Sequence, residues 1–244
     1  MHGRLRLVLV GMAATLLAGP VAFIAAAAPT SAASPAASES HAALCESHTF
    51  LCSDTSRHTN YEGDYEFEMG IGRPPEYRPL LETPDILVFA WGATVPMIAH
   101  AAGVMLDEIT TTWDKWVTPN ERKTAKGIIA PGHVAAVRFT INGIYQGETR
   151  IQLEHVNRIG NDAAPEWPSG NENDVYRVDI EGTPSISQET SFRFTDGSGR
   201  DAAAAGCLAT GLRALNAVPA VNEHSPGWVT ALDLPLIPGV GTIR

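Results

Sequence analysis

Two neighbouring residues, Glu154 and His155, are the first candidates for chemistry in this sequence. They lie in the segment RIQLEHVNRI, residues 150–159, where Ile151, Leu153 and His155 alternate with polar residues as they do in a strand. Consecutive strand residues point to opposite faces, so one of the pair faces the core or a cleft. A carboxylate or an imidazole in a cleft can bind a charged group or transfer a proton. A lone histidine in line with apolar residues is more commonly a core residue, and the sequence leaves both interpretations open.

A second set of polar and aromatic residues follows the last predicted helix, in residues 215–233. Pro219, Pro226 and Gly227 interrupt this stretch and predict a stiffened loop, a common location for binding residues. The alternative is a rigid tail that packs over the sheet. The candidates in the stretch are Asn216, Asn222, Glu223, His224 and Trp228.

Four residues near the N-terminus, spaced H-x3-C-x2-H-x3-C from His41 to Cys52, have the residue types of a tetrahedral zinc site. No hydrophobic pattern flanks them that would hold a metal cage rigid, so we predict no metal here. In an exported chain Cys45 and Cys52 are instead the candidate pair for a disulfide, which leaves Cys207 over. Free thiols in a polar segment are the remaining alternative.

The segment Gly197-Ser198-Gly199-x-x-Ala202 has the glycine spacing of a dinucleotide-binding turn. Such a site also requires a second parallel strand after the helix, ending in an acid that binds the ribose. Here the predicted helix leads into a proline-containing stretch without a strand pattern, so we predict no cofactor-binding residues. The sequence also lacks GxSxG, HExxH, CxxC and phosphate-loop motifs, which argues against the corresponding catalytic classes.

Residues 1–33 have the layout of a secretory leader. Arg4 and Arg6 precede an apolar stretch, residues 7–17, and small residues at 25–33 offer a cleavage site. We therefore expect export or secretion if the leader functions. The alternative is an uncleaved leader that anchors the chain in a membrane, since apolar character persists from Leu5 to about Ala28 and could just span a bilayer.

Residues 34–65 are polar, begin with an Ala/Ser/Pro-rich stretch, and predict a disordered linker that carries Cys45 and Cys52. The globular domain is predicted at residues 66–244. The hydrophobic fraction of 44% is ordinary for a folded domain. The formal net charge is −10 and no basic stripe is present, so nucleic acid is not expected as a partner.

Residues 66–244 predict an α/β domain of the α+β type, because consecutive strands lie between two helices. The predicted helices cover residues 83–103 and begin again near 198, and the predicted strands are 106–117, 134–141, 150–159, 174–180 and 189–194. This order favours a mixed, largely antiparallel sheet that helices cover on one face, with no Rossmann domain.

Individual residues predict where these helices and strands begin, bend and end. Pro96 is expected to bend the first helix or to start a second one. Asn142-Gly143 predicts a tight turn between two paired strands. The last helix is expected to have Ser198 as its cap, with Asp201 completing a capping box. In that helix Leu208, Leu212 and Leu215 are predicted to line one face.

Four phrases spread through the domain carry a family resemblance: FEMGIGRPPEYRPLL, LVFAWGATVPMIAHAAGVMLDEI, GHVAAVRFTINGIYQGETRIQLEHVNRI and LNAVPAVNEHSPGWVTALDLPL. Together they resemble the C-terminal domain of 2,4-diaminopentanoate dehydrogenases and of the dihydrodipicolinate-reductase-like oxidoreductases related to them. The segment CESHTFLCSDT is instead similar to the start of unrelated secreted proteins. The chain therefore has the pattern of an oxidoreductase C-terminal domain fused to a secretory-type N-terminus.

The resemblance implies an NAD(P)-dependent oxidoreductase family that acts on amino or imino acids and is cytoplasmic. In that family an N-terminal Rossmann domain binds NAD(P), while the C-terminal domain closes the substrate site and mediates homo-oligomerisation. The sequence has neither that Rossmann domain nor the His-His and Lys-containing stretch, ending in Pro-Ser-Gly-Thr, of true dihydrodipicolinate reductases. We therefore expect no cofactor on this chain alone and no activity alone. The competing hypothesis is an exported binding or surface module that kept only the fold.

The same resemblance suggests roles for the candidate residues toward a small amino- or imino-acid-like substrate. Glu154 and Glu223 are expected to meet its ammonium group. Asn216, His155 and His224 are expected to meet its carboxylate or the reacting nitrogen. The strand that contains Glu154 and the loop that contains Asn216 would then form opposite walls of one cleft.

Overall fold

The computed structural model describes residues 69–124, 127–160, 162–170, 175–197 and 202–237, with only the backbone at 202–204 and 207. The predicted leader, the linker with its zinc-like run and the Cys45–Cys52 pair therefore lie outside the described residues, as do the predicted cap residues Ser198 and Asp201. No helix within these ranges is both long enough and apolar enough to cross a membrane.

The described residues divide into two compact units, one that extends to Ser191 and one that begins at Phe192. In the first unit, two helices, α1 (Pro84–Trp91) and α2 (Thr94–Ala101), precede the strands. The strands are β1 (Glu108–Val117), β2 (Arg122–Thr124), β3 (Gly127–Ile129), β4 (Val134–Tyr145), β5 (Glu148–Arg158), β6 (Tyr176–Ile180) and β7 (Ile186–Thr190). The second unit contains α3 (Ala202–Glu223).

The single helix predicted for residues 83–103 is divided at Gly92 into α1 and α2. Pro84 occupies the first turn of α1, where its missing N–H is not needed. Pro96 lies in the first turn of α2 for the same reason, so the prediction of a second helix start is confirmed. At Gly92 a Cβ would lie 2.6 Å from the carbonyl oxygen of Val88, which explains why glycine occupies the break.

The main sheet has three strands in the order β1-β4-β5, and every strand pairing in the described part of the chain is antiparallel. On one face of this sheet, every second residue of β4 and β5 packs against α1 and α2, and together they form a single hydrophobic core. The predicted α+β class, with a largely antiparallel sheet covered on one face by helices, is confirmed. The largest contributors to this core from the strands are Val137, Phe139, Ile141, Ile151 and Leu153.

The turn predicted at Asn142-Gly143 is wrong. Both residues lie within β4, which continues to Tyr145, and the chain reverses at Gln146 and Gly147, with φ values of 54° and 73°. Gly143 is required by packing instead, because a Cβ there would lie 2.8 Å from Cγ1 of Val95 in α2. The contact with Val95 therefore explains the glycine at position 143, although an Asn-Gly pair by itself favours a hairpin turn.

The last predicted strand, residues 189–194, is displaced toward the N-terminus. The strand β7 begins at Ile186, pairs with β6 and ends at Thr190. The short connection after Ile180 sets this register, and the Arg177 side chain forms an ion pair with Glu189 across the hairpin. Turn closure therefore determines where β7 begins, and residues 191–194 are not in a strand.

The loop predicted after the last helix is wrong for residues 216–223, which belong to α3. Pro219 lies inside this helix, where it removes one backbone hydrogen bond without ending the helix. The alanines on both sides have the highest helix propensity and favour continuation through the proline. The helix ends at Glu223, and the backbone N–H of the next residue, His224, donates to the carbonyl oxygens of Ala220 and Val221.

Candidate functional site

The sheet face opposite α1 and α2 carries a charged cluster centred on Arg138. Arg138 is paired across the strands with Asp114, and its Nε and Nη2 donate to Asp114 Oδ2 at 2.9 Å and 2.6 Å. On the other side, Arg138 Nη1 lies 3.9 Å from Oε1 of Glu154. The Glu154 side chain is 7% exposed, whereas the Arg138 side chain is 32% exposed. The cluster therefore holds two carboxylates around one guanidinium that still reaches solvent.

An aromatic ring completes the cluster. The Arg138 guanidinium lies over the indole of Trp167 at 5.4 Å, a cation–π contact. The loop that contains Trp167 is held by Arg158, which is buried and donates to the carbonyl oxygens of Ala163 and Pro168 at 3.3 Å and 2.7 Å. Burial lowers the pKa of the Arg158 guanidinium, and the nearby Glu166 carboxylate opposes that shift. Arg158 thus fixes the loop that places Trp167.

A row of hydrogen-bonded polar side chains extends the cluster along the same face. The hydroxyl groups of Thr112 and Thr140 lie 2.8 Å apart, and Asn142 Nδ2 donates to Thr140 Oγ1 at 3.0 Å. Gln152 Nε2 in turn donates to Asn142 Oδ1 at 2.8 Å. Thr140 and Asn142 are buried, and their mutual hydrogen bonds offset the cost of removing them from water. This row and the Arg138 cluster together form the polar face of the sheet.

His155 lies on the opposite face, in the hydrophobic core. Its ring is 1% exposed and stacks on Phe139 with 5.0 Å between ring centroids. Trp91, the last residue of α1, tilts against its other side at 4.8 Å. Trp113 stacks on Phe139 at 5.4 Å and extends the row of rings. This placement agrees with the core interpretation of His155, while its role toward a substrate stays a prediction.

The remaining candidates belong to the second unit. Asn216 is half-buried in α3, and Glu223, at the end of that helix, is exposed. His224 is exposed just beyond the helix, and its Nδ1 lies 3.0 Å from the carbonyl oxygen of Ser225. Glu154 and His155 thus lie on different faces of the first unit's sheet, while Asn216, Glu223 and His224 lie in the second unit, and their common role toward a substrate stays a prediction.

Sequence reasoning missed Arg138, Asp114 and Trp167. A signal for Arg138 was present, because in VAAVRFTINGIY three polar residues, Arg138, Thr140 and Asn142, recur at every second position. Asp114 and Trp167 carried no comparable signal, since only strand register and loop packing bring them to Arg138. Among the described side chains, no group of three or more His, Cys, Asp or Glu residues is placed to hold a metal ion.

Comparison with known proteins identifies the family of this domain. Residues 88–242 match the family model described as the 2,4-diaminopentanoate dehydrogenase C-terminal domain, and the chain belongs to this family. The family that the sequence resemblance predicted is thus confirmed.

Individual relatives support this assignment. An amine dehydrogenase from Streptomyces virginiae is 37% identical over 179 residues, which cover 72% of this chain and 49% of the relative. A 2,4-diaminopentanoate dehydrogenase from Acetoanaerobium sticklandii is 29% identical over 144 residues, which cover 59% of this chain and 36% of the relative. The chain thus spans half or less of the length of these curated relatives.

A solved structure is also similar. The amine dehydrogenase from Mycobacterium smegmatis superposes with a TM-score of 0.53 at 17% sequence identity, over 78% of this chain and 51% of that chain. At this level of identity the likeness establishes the fold alone.

Proposed function

We propose that this chain acts as the substrate-side domain of an amine or 2,4-diaminopentanoate dehydrogenase-type enzyme. The observation that carries the proposal is the family match over residues 88–242, which includes the whole polar face of the sheet. That face offers a nearly buried carboxylate, Glu154, beside a partly exposed guanidinium, which suits a small ligand that carries both an ammonium and a carboxylate group.

We further propose that the chain does not bind NAD(P)H by itself. Dinucleotide binding uses a parallel strand–helix–strand unit that places a helix N-terminus against the pyrophosphate. Within the described ranges all strand pairings are antiparallel, and no strand follows α3. Hydride transfer requires the nicotinamide to be held against the substrate, so the isolated chain is expected to be catalytically silent.

An activity assay tests the proposal that the isolated chain is catalytically inactive. The purified full chain is incubated with 2,4-diaminopentanoate or a simple primary amine and NAD⁺ or NADP⁺, and reduced nucleotide is followed by absorbance. We expect no turnover above a heat-denatured control. Turnover that scales with the concentration of the chain would contradict the proposal.

The ligand proposal is tested at Glu154. Calorimetric titration with 2,4-diaminopentanoate should show weaker binding for Glu154→Gln than for wild type, because the neutral amide loses the attraction to an ammonium group. Glu121→Gln is the matched control, since Glu121 is an exposed acid outside the polar face. Equal affinity of both variants and wild type would exclude Glu154 as a ligand contact.

A second candidate function is an exported binding or surface module, and the leader-like residues 1–33 favour it. In that case Cys45 and Cys52 form a disulfide in the oxidising compartment. Intact-mass measurement of secreted material should show loss of about 28 to 33 residues and of two hydrogens. A full-length product confined to the cytosol would exclude export.

A further inference from the structure

Arg158 is a buried cation at the end of β5 that binds the backbone of a neighbouring loop. It lies on the same face of the sheet as Glu154 and is 3% exposed. Nη1 donates to the carbonyl oxygens of Ala163 and Ala164 at 3.3 Å and 3.4 Å, and Nη2 donates to that of Pro168 at 2.7 Å. The buried Nε has no hydrogen-bond partner among the described residues. Burial of a guanidinium with an unpaired N–H costs free energy, which the hydrogen bonds to the loop must offset.

The loop of residues 163–168 has a shape that depends on these hydrogen bonds. Ala164 has a φ of 48°, in the left-handed region that residues with a Cβ rarely adopt. Its carbonyl oxygen and that of Ala163 both accept from Arg158. Trp167 follows in the same loop and is buried in a small apolar cluster on this face of the sheet. Arg158 therefore determines where the Trp167 ring lies.

The guanidinium of Arg138 is oriented by two contacts. Its Nε and Nη2 both donate to Oδ2 of Asp114, which fixes one edge of the group. The Trp167 indole covers one face at 5.4 Å, which fixes the plane of the group. The remaining nitrogen, Nη1, lies on the side of Glu154, 3.9 Å from its Oε1. Without the indole, the guanidinium can rotate about its contact with a single oxygen atom, so the ring decides where Nη1 points.

We infer that Arg158 is a positioning residue for ligand binding, which acts through Trp167 on the direction of Arg138 Nη1. The inference rests on the proposed function, in which a small ligand with an ammonium and a carboxylate group binds beside Glu154. The ligand carboxylate can accept from Nη1 only while that nitrogen stays on the Glu154 side. A guanidinium that is already oriented in the free protein lowers the cost of ordering it on binding.

The NMR resonance of the Arg138 Nε–H group measures the positioning. In wild type the ring current of Trp167 should shift this proton upfield, and loss of the resonance in Arg138→Lys assigns it. Arg158→Lys keeps the charge but has no planar fork of donors for the loop, so it should move the resonance downfield. Arg158→Met, which fills the space without a buried charge, is the second variant should Arg158→Lys not fold. Trp167→Leu should move the resonance furthest, because it removes the ring.

Calorimetric titration of the full chain with 2,4-diaminopentanoate connects the positioning to binding. Arg158→Lys and Trp167→Leu should each weaken binding by about tenfold. The double variant should bind no more weakly than Trp167→Leu alone, because both changes act through one contact. Trp167→Phe keeps an aromatic ring and should recover part of the affinity. Ile151→Val is the matched control, since Ile151 is a fully buried residue of β5 on the core face, and its small loss of stability should change neither the resonance nor the affinity.

Three outcomes would overturn the inference. The Arg138 resonance could stay in place in both folded Arg158 variants. The resonance could move while the affinity stays that of wild type, which would mean that the direction of Nη1 does not matter to the ligand. The double variant could lose the product of the two single effects, which would mean that Arg158 acts independently of Trp167. In all three cases wild type binds the ligand. Failure of wild type to bind at all would instead overturn the proposed function, and the inference with it.

Discussion

Substitution of Gly143 by alanine tests whether the Asn142-Gly143 pair lies inside a strand. The Ala Cβ would lie 2.8 Å from Val95 Cγ1 and 3.0 Å from Leu106 Cδ1, and Val95 is fully buried. Overpacking of this kind costs about 1–3 kcal/mol. Replacement of glycine in a strand recovers roughly 0.5–1 kcal/mol of backbone entropy, so the middle of the two ranges gives an expected net loss of roughly 1 kcal/mol.

Urea unfolding followed by tryptophan fluorescence measures this loss, since Trp91 and Trp113 are partly buried and pack against the core that α1 and α2 share with the sheet. The free energy of unfolding of the double variant Val95→Ala/Gly143→Ala should exceed the value expected from adding the two single effects by about 1 kcal/mol. The reason is that the new methyl group at residue 143 enters the space that the Val95 side chain leaves. Gly211→Ala is the matched control. Its Cβ meets nothing within 4 Å, so the same substitution should stabilise α3 by roughly 0.5–1 kcal/mol. A neutral or stabilising Gly143→Ala would refute the packing argument.

Three further predictions follow from single side chains. His155→Ala should cost about 2–4 kcal/mol in urea unfolding, because the ring is fully buried between two aromatic rings, and a cost near zero would contradict its place in the core. The hydrogen bond from Arg122 holds the pKa of the Asp162 carboxyl below its ordinary value. The ion pair therefore stabilises the folded chain at pH values above the ordinary Asp pKa, and this stabilisation is lost as the pH falls through the lowered pKa of Asp162. Asp162→Asn should therefore flatten the decline of the urea midpoint on the acid side, by a small amount because Asp162 is largely exposed. Pro219→Ala should raise the helical signal in far-UV circular dichroism and stabilise α3 by up to about 3 kcal/mol, whereas no gain would indicate that residues 216–223 are not helical.

Much of the fold could be predicted from the sequence because periodic patterns determine the first unit. The alternation in residues 150–159 and the apolar spacing after Pro84 are strong local signals, and the structure has β5 and α1 at these positions. The errors occur where a tertiary contact overrides a local rule. Gly143 is a packing glycine beneath Val95 rather than a turn residue, and Pro219 stays inside a helix whose flanking alanines favour continuation.

The candidate site could be predicted only in part. Glu154 is part of the charged cluster on the polar face, but Arg138 and Asp114 come from two other strands, and only strand register brings both carboxylates to the Arg138 guanidinium. A one-residue change of register would exchange the polar and apolar faces, so the cluster depends on strand pairing that sequence periodicity alone does not specify. Asn216 was expected in a loop and lies instead within α3, whereas His224 follows the helix.

Titration of the full chain with NADH and NADPH, followed by nucleotide fluorescence, tests the central claim most directly. The claim is that these residues supply the substrate-side domain and no nucleotide site. We predict no saturable change at micromolar nucleotide for either cofactor. Saturable micromolar binding that is lost on replacement of Gly197 by a bulky residue would contradict the account and assign the Gly197-Ser198-Gly199 segment to the phosphates.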